Sequence, residues 1–400
     1  PCIIPDTAAA LTFCRSEIDE SAGGLTYPVD LLSLDVCGVI NRFKTFKQLV
    51  VEPTGRRRAL VLAANPVRKD VPTRGTDKLR YFGPGHHRPG YIELGDGESV
   101  YLAEGAWVEG LIYARGRDIT ISGPGVISGA IYNWGIGPER YRAELGVTDT
   151  GAVVSMCGEN LTIRDTTIYS GWVYNLAFNE ATNVVVDNVK IISGRNINDD
   201  GIDPCRTKNI VIRNCLVHTQ DDCIAPKYWI DRMLVENCIL WNDKANSVRI
   251  GFECEDGRTG LKHRDITMRD IDILHTTEVN KGLTNFWARA VLTVEAAKDQ
   301  VFESIRFEDI RVHDCPEDWV FVDVRTRDIK AGGLPYCRTD RAGTIDGLVF
   351  RNIHLKKLHS EIKITLNIGN IYCDCCTNTH LCCTDFLTRH RSGCICLSCN

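Results

Sequence analysis

No apolar run in these 400 residues approaches the roughly eighteen that a membrane-spanning helix needs, so no membrane partner is expected. Charge of one sign is also lacking. Lys and Arg number 47 against 52 Asp and Glu, a formal net of -5. That balance excludes the basic footprint of a nucleic-acid binder, and the arginines at 56–58 read as a solvated loop. No signal peptide is visible, and the chain opens on Pro1, as a trimmed mature form would. The middle of the chain lacks a 3.6-residue apolar period, which excludes helical rungs. It also lacks the leucine pattern of leucine-rich repeats. What is present, 44% hydrophobic and 25% charged residues, suits a soluble folded protein. At this length it is either several compact domains or a solenoid.

Cysteine is plentiful but unevenly placed. Of 19, eleven lie between Cys2 and Cys337 and eight crowd the last 28 residues. Cys215 and Cys238 each follow an Asn in strand-like sequence and read as buried thiols. The tail could form a disulfide knot, or a zinc site helped by His380 and His390. Its spacing matches no regular CxxC pair, which favours a disulfide-linked or poorly specified tail, 371–400, with no cofactor.

A repeat fills the centre. "NLTIRDTTI" (160–168), "NVVVDNVKI" (183–191), "NIVIRNCLV" (209–217), "RMLVENCIL" (232–240) and "DITMRDIDI" (265–273) share one pattern of alternating apolar residues. Their sixth positions, Asp165, Asn188, Asn214, Asn237 and Asp270, fall at steps of 23, 26, 23 and 33. Two-residue alternation predicts strands, and a period in the low twenties predicts a solenoid. The fold class expected is all-β: a right-handed parallel β-helix over 93–370, with Asn188, Asn214 and Asn237 stacked at one turn. Before it, residues 1–92 read as a small β-sandwich-like domain, because "LTYPVDLLSL", "KQLVVEPTG" and "RALVLAANPV" are strand-like and separated by turn residues.

The segment "NINDDGIDPCRTKNIVIRNCLVHTQDDCIAPK" (196–227) gathers five acids. Asp200 and Asp221 stand 21 residues apart, about one coil, and Asp222 adjoins Asp221. Stacking would place three carboxylates together, and like charges held close force one to keep its proton. A protonated acid beside ionised ones is what glycoside hydrolysis needs. Adjacent strand residues face opposite ways, so a turn is required after Val217. The same acids would equally serve as turn bracing or a calcium site.

"NDDGID" followed by "TQDDCIA" resembles the signature of family 28 glycoside hydrolases, the polygalacturonases: Asn-Thr-Asp-Gly-x-Asp, then Gln-Asp-Asp-Cys. The resemblance implies that Asp221 is the general acid, and that Asp200 and Asp222 activate water for an inverting displacement. Two departures matter. Asn246 in "WNDKANSVRIG" stands where that family has the His of Gly-His-Gly, and "RAVLTV" offers no counterpart of its Arg-Ile-Lys. A uronate substrate wants such charge-assisted partners. The chain is also similar to family 49, the dextranases and isopullulanases, which place a β-sandwich before the β-helix and use three Asp without the His. "FGPGHHRPGYIELGDGESVYLAEGAWV" and "ILWND" carry that likeness.

A neutral polysaccharide or oligosaccharide, a dextranase-like glucan first, is therefore the expected partner, and secretion follows from that substrate class. Other classes remain: a pectin hydrolase, a β-helical lyase, an intramolecular glycosyltransferase, or a non-catalytic carbohydrate-binding β-helix. Sugar binding needs aromatic platforms and hydrogen bonds. Trp172, Tyr228, Trp229 and Trp241 are placed after strands near the acids, and Asn198, Lys227, Asp243, Asn246 and Arg249 offer polar contacts. The oligomeric state leaves no mark in the sequence.

Overall fold

The computed structural model describes residues 8–15, 47–51, 60–66, 68–69, 71–132, 151–194, 196–253, 261–276, 290–297, 299–314, 320–327, 343–355, 363–367 and 397–399. Every regular element among them is a β-strand. From Leu79 onward, each strand pairs in parallel with the one a coil away, so that Leu176 sits between Val154 and Ile202. This is the parallel β-helix that the repeat predicts. One face, the acid-bearing one, is built from Tyr174–Asp187 in its first half, Ile202–Arg213 likewise, then Val248–Gly251, Ala290–Ala297 and Val320–Arg327.

The alternation in the sequence explains the interior. Ile119, Leu161, Val184, Ile210, Met233, Ile266, Ile305 and Leu348 stand in register, and all are buried. Burying each aliphatic side chain contributes roughly 1.5–3 kcal/mol. The polar positions flanking each apolar run make the bends. Asn160, Asn183 and Asn209 take φ of 58, 57 and 54, and Asp165, Asn188, Asn214 and Asn237 take 65, 56, 57 and 51. Asn and Asp tolerate this left-handed geometry because their short side chains bond locally.

Two ladders of side chains result. In the first, Asn183 Nδ2 donates to Asn160 at 3.0 Å and Asn209 to Asn183 at 3.0 Å. In the second, Asn237 donates to Asn214 at 2.7 Å. The expected column of Asn188, Asn214 and Asn237 is present as turns but is not one chain of bonds. Asn188 donates to Asp165 at 3.0 Å, and Asn214 to Asp187 at 2.7 Å.

The domain boundary also moves. Leu79–Phe82 already pairs with Ser99–Leu102, and Gly85–Leu94 with the strand Ala106–Ser122, so the solenoid begins before residue 93. The local reason is that Gly83 and Pro84 are a bend between two strands of the solenoid, Leu79–Phe82 and Gly85–Leu94. What precedes it, among the described residues, is one three-stranded antiparallel sheet of Ala8–Arg15, Leu60–Pro66 and Lys47–Val51. Val61 of that sheet packs on Ile192 and Leu216 of the solenoid. Asn65 Oδ1 accepts from Asn188 and from buried Lys190, at 3.1 and 2.6 Å, and Arg68 forks onto Asp165 with two bonds of 3.0 Å. Apart from Leu397–Cys399, the Cys-rich tail lies outside the described residues.

Candidate active site

The turns that lead into the acid-bearing face stack directly. Asn175 N–H donates to the Asp200 carbonyl, Gly201 N–H to the Asp222 carbonyl and Cys223 N–H to the Asn246 carbonyl, at 2.9, 2.8 and 3.0 Å. Those bonds align the acids on successive coils. Gly201 is required, because a Cβ there would stand 2.3 Å from the Cys223 carbonyl oxygen. The chain does turn at 220–222, so adjacent Asp221 and Asp222 need not face opposite ways.

Asp200 is 4% exposed and meets the Lys227 ammonium at 2.8 Å. Lys227 also reaches Asp203 at 2.8 Å and Glu253 at 3.5 Å, and stands 4.4 Å from the Tyr174 ring centre. An ammonium thus occupies the point where three carboxylates converge. Burial works against that charge, yet Asp200, Asp203 and Glu253 hold the Lys227 pKa well above its usual range. Asp222 accepts at Oδ1 from the backbone and side-chain amides of Asn246, at 2.9 and 2.6 Å. Its Oδ2 lies 3.7 Å from Arg249. Asn246 is in turn fixed from behind, its Oδ1 accepting from Ala290 N–H and Thr293 Oγ1 at 2.8 and 2.7 Å. Arg249 is held by Glu295, with bonds of 3.1 and 2.7 Å to one carboxylate oxygen, and lies over the Phe252 ring.

Asp221 is the half-buried member of the set. Its Oδ1 accepts from Asp222 N–H at 3.0 Å, and its Oδ2 faces exposed Asn198 at 3.4 Å. Burial pushes its carboxyl up to about 8, with Asp222 and Asp199 adding to the rise and Lys227 and Arg249 opposing it. Burial also raises Asp200 well above the usual carboxylate range; Lys227 pulls against it, and Asp203, Asp221 and Asp222 add to it. Asp203 is pushed up to about 6, chiefly by burial.

The structure therefore brings Asp200, Asp221, Asp222, Asn198, Lys227, Asn246 and Arg249 into one neighbourhood. It separates others from it. Trp172 is fully buried in a cluster with Leu111 and Tyr132 and presents no face to a sugar. Trp241 is sandwiched between His218 and His275, ring centres 4.8 and 4.6 Å away, and is buried too. Asp243 is committed to that stack, accepting from Trp241 Nε1 at 3.0 Å and pairing with His218 at 2.8 Å. A strand's last apolar position can face the core or its outer packing, and an aromatic after a strand does not say which. Tyr228 and Trp229 are half-buried, and the guanidinium of Arg206 covers one face of Tyr228 at 3.8 Å. The site also contains Asp203, one of the five acids of 196–227; Glu253, which reads as a solvated loop residue in sequence but pairs with Lys227; and Glu295. Glu295 had a visible signal: it is a charge at an outward position of the apolar strand "AVLTVEAA".

Fold and site together are a parallel β-helix whose successive turns gather carboxylates. Residues 105–324 match glycosyl hydrolases family 28, more than half of the chain, and the protein belongs to that family. It is 28% identical over 160 residues to a polygalacturonase of Juniperus ashei, a match covering 37% of this chain and 31% of that one. With a polygalacturonase of Chamaecyparis obtusa it shares 29% over 120 residues, 29% of this chain and 23% of that one. The chain thus spans under a third of the length of these curated relatives. Its fold is that of the Yersinia enterocolitica family 28 exopolygalacturonase, with a TM-score of 0.54 at 14% identity over 71% of this chain and 61% of that one. Dex49A from Penicillium minioluteum shares the fold at a TM-score of 0.50 and 14% identity, over 77% of this chain and 58% of that one.

Proposed function

We propose that the protein hydrolyses an O-glycosidic bond with inversion, and that its substrate is a neutral polysaccharide or oligosaccharide, a dextran-like glucan first. In this reading Asp221 protonates the leaving oxygen. Asp221 is half-buried, and its carboxyl keeps its proton at neutral pH because burial pushes it up to about 8. Asp200 and Asp222 hold water on the opposite face of the sugar and take its proton, Asp200 in the ionised form that the Lys227 ammonium at 2.8 Å favours against burial. Lys227 steadies Asp200, and the Asn246 amides steady Asp222 while leaving Oδ2 for water. Asn198, Arg249, Tyr228 and Trp229 supply contacts to the sugar around them. Secretion follows from a polymeric substrate.

The observation that carries the neutral substrate is that, among the described residues, both buried cations of the site are engaged by acids. Lys227 is surrounded by Asp200, Asp203 and Glu253, and Arg249 by Glu295 and Asp222. Among the described residues, a uronate carboxylate would meet acids in excess and no cation of the site outside these two ion-paired groups. A second reading, hydrolysis of a galacturonan, is favoured by the two curated relatives, both polygalacturonases.

New reducing ends released from dextran, pullulan and polygalacturonate separate the two, with Asp221→Asn as the blank. Efficient cleavage of polygalacturonate with none of the glucans would reject the neutral reading and establish the second. Proton NMR of the first-formed product gives the anomeric outcome, and retained configuration would reject the assigned roles.

A further inference from the structure

Asp199 is wholly buried and lies beside the acids without joining them. Each of its carboxylate oxygens accepts two hydrogen bonds, and the two pairs come from different coils. Oδ2 accepts from Ser193 Oγ at 2.7 Å and from Gly194 N–H at 2.6 Å. Oδ1 accepts from Gln220 N–H at 2.8 Å and from Asp221 N–H at 3.1 Å. We propose that Asp199 is the positioning residue of the acid, a clamp that fixes the 193–194 turn to the 220–221 turn and so sets the Asp221 carboxyl in place.

The rest of the Asp221 backbone is fixed to match. Its carbonyl accepts from Thr219 Oγ1 at 2.6 Å and from Asn242 Nδ2 at 2.5 Å. Only the N–H side depends on Asp199. Ser193 Oγ is oriented for its part by accepting from Gly171 N–H at 3.1 Å. A buried carboxylate that receives four donors is a strong anchor, since each charge-assisted bond is worth about twice a neutral one. Burial pushes the Asp199 carboxyl up to about 6 against its four donors, so above that pH it sets a negative charge against Asp221, alongside Asp222, with Lys227 and Arg249 opposing. Behind the clamp, His218 and Asp243 pair with each other next to Gly194. Asp199 therefore does two things at once: it holds the acid still and it helps keep the acid protonated.

The role of Asp221 as acid rests on the hydrolase reading above, so the test is chosen to work without a substrate. Carbon-13 NMR of aspartate-labelled protein follows the Asp221 carboxyl, assigned by its loss in Asp221→Asn. In Asp199→Asn the titration midpoint of Asp221 should fall by about one unit, because a nearby negative charge is gone. Ser193→Ala keeps the charge and both Asp221-side bonds, and should leave the midpoint where it is. If Asp199→Asn does not fold, Asp199→Thr makes the same comparison with a hydroxyl in place of the charge. An unmoved midpoint in the folded variant overturns the proposal.

On whichever polysaccharide the native enzyme cleaves, the alkaline limb of kcat/KM should shift down with the midpoint, and kcat at pH 7 should fall about tenfold or more. A fall in kcat with the limb unmoved would mean a merely structural residue and also overturns it. Should no polysaccharide be cleaved, the hydrolase reading fails, but the NMR shift still decides the clamp.

Discussion

Asp221 is where proton chemistry and stability meet. Asp221→Asn should lower kcat by about 10²–10⁴-fold, the usual weight of a general acid. A substrate with a good leaving group should recover part of that loss, because its departing oxygen needs less protonation. Asp200→Asn and Asp222→Asn should show no such recovery, since water would still lack its base. Rescue of the base variants instead of the acid variant would reverse the assignment. The same carboxyl makes a pH prediction. Its folded pKa of about 8 lies above the roughly 3.9 of an unfolded Asp, so the folded state carries the extra proton between those values. The stability it contributes is whole below about pH 4 and is lost as pH rises toward 8. Asp221→Asn should therefore raise Tm at pH 8 by a few degrees, roughly 2–4 °C per kcal/mol, and leave it little changed at pH 4. An equal shift at both pH values would argue against a buried, proton-holding Asp221.

At the scale of the strand and turn, the ladders make a separable prediction. Asn209→Ala removes a rung of the first ladder and puts a Cβ residue without local bonding into the left-handed region at φ 54. The cost should be about 1–2 kcal/mol by urea unfolding, and Asn209→Gly should recover the backbone part of it. Equal losses in the two would show that strain contributes nothing. These elements were readable because their chemistry is local. A period-two apolar run specifies a strand, and an Asn that must bend the chain specifies a turn, so the repeat predicts both the coils and the gathering of Asp200, Asp221 and Asp222. What it did not expose depends on partners distant in sequence. Trp172 and Trp241 look like binding aromatics until their packing neighbours are known, and Asn188 takes Asp165 and Asn65 rather than Asn214. The start of the solenoid does not show in the sequence because Gly83 and Pro84 fall between short strands, as turns of a separate domain would, while they bend the chain inside a coil.

For the whole molecule, the antiparallel sheet near the N-terminus is fastened, among the described residues, where Val61 packs on Ile192 and Leu216 and where Arg68 and Asn65 meet the second column of turns. Burial opposes the charge on Asp165, but Arg68, Asn188 and Arg164 together hold its pKa below the usual range. The stabilisation this gives is present above about pH 4 and is lost as pH falls below it. Arg68→Ala should cost about 1 kcal/mol at pH 7, since the arginine is part-exposed, and progressively less in acid. Hydrogen exchange at 60–66 should quicken before that of the solenoid core. Uniform quickening across both would mean that the sheet is not a separately released unit.

The coil-on-coil register has a mechanical corollary. Each coil is bonded to the coils above and below it, and the strands run across the long axis, so tension along that axis loads the ladders one at a time. The stack should then yield like a zip, each event freeing one coil of about 23 residues and lengthening the tether by roughly 80 Å. Tension along a strand instead sets every bond of a ladder in shear together and should meet far greater resistance. The molecule is soft in the direction in which its coils were added and stiff across it.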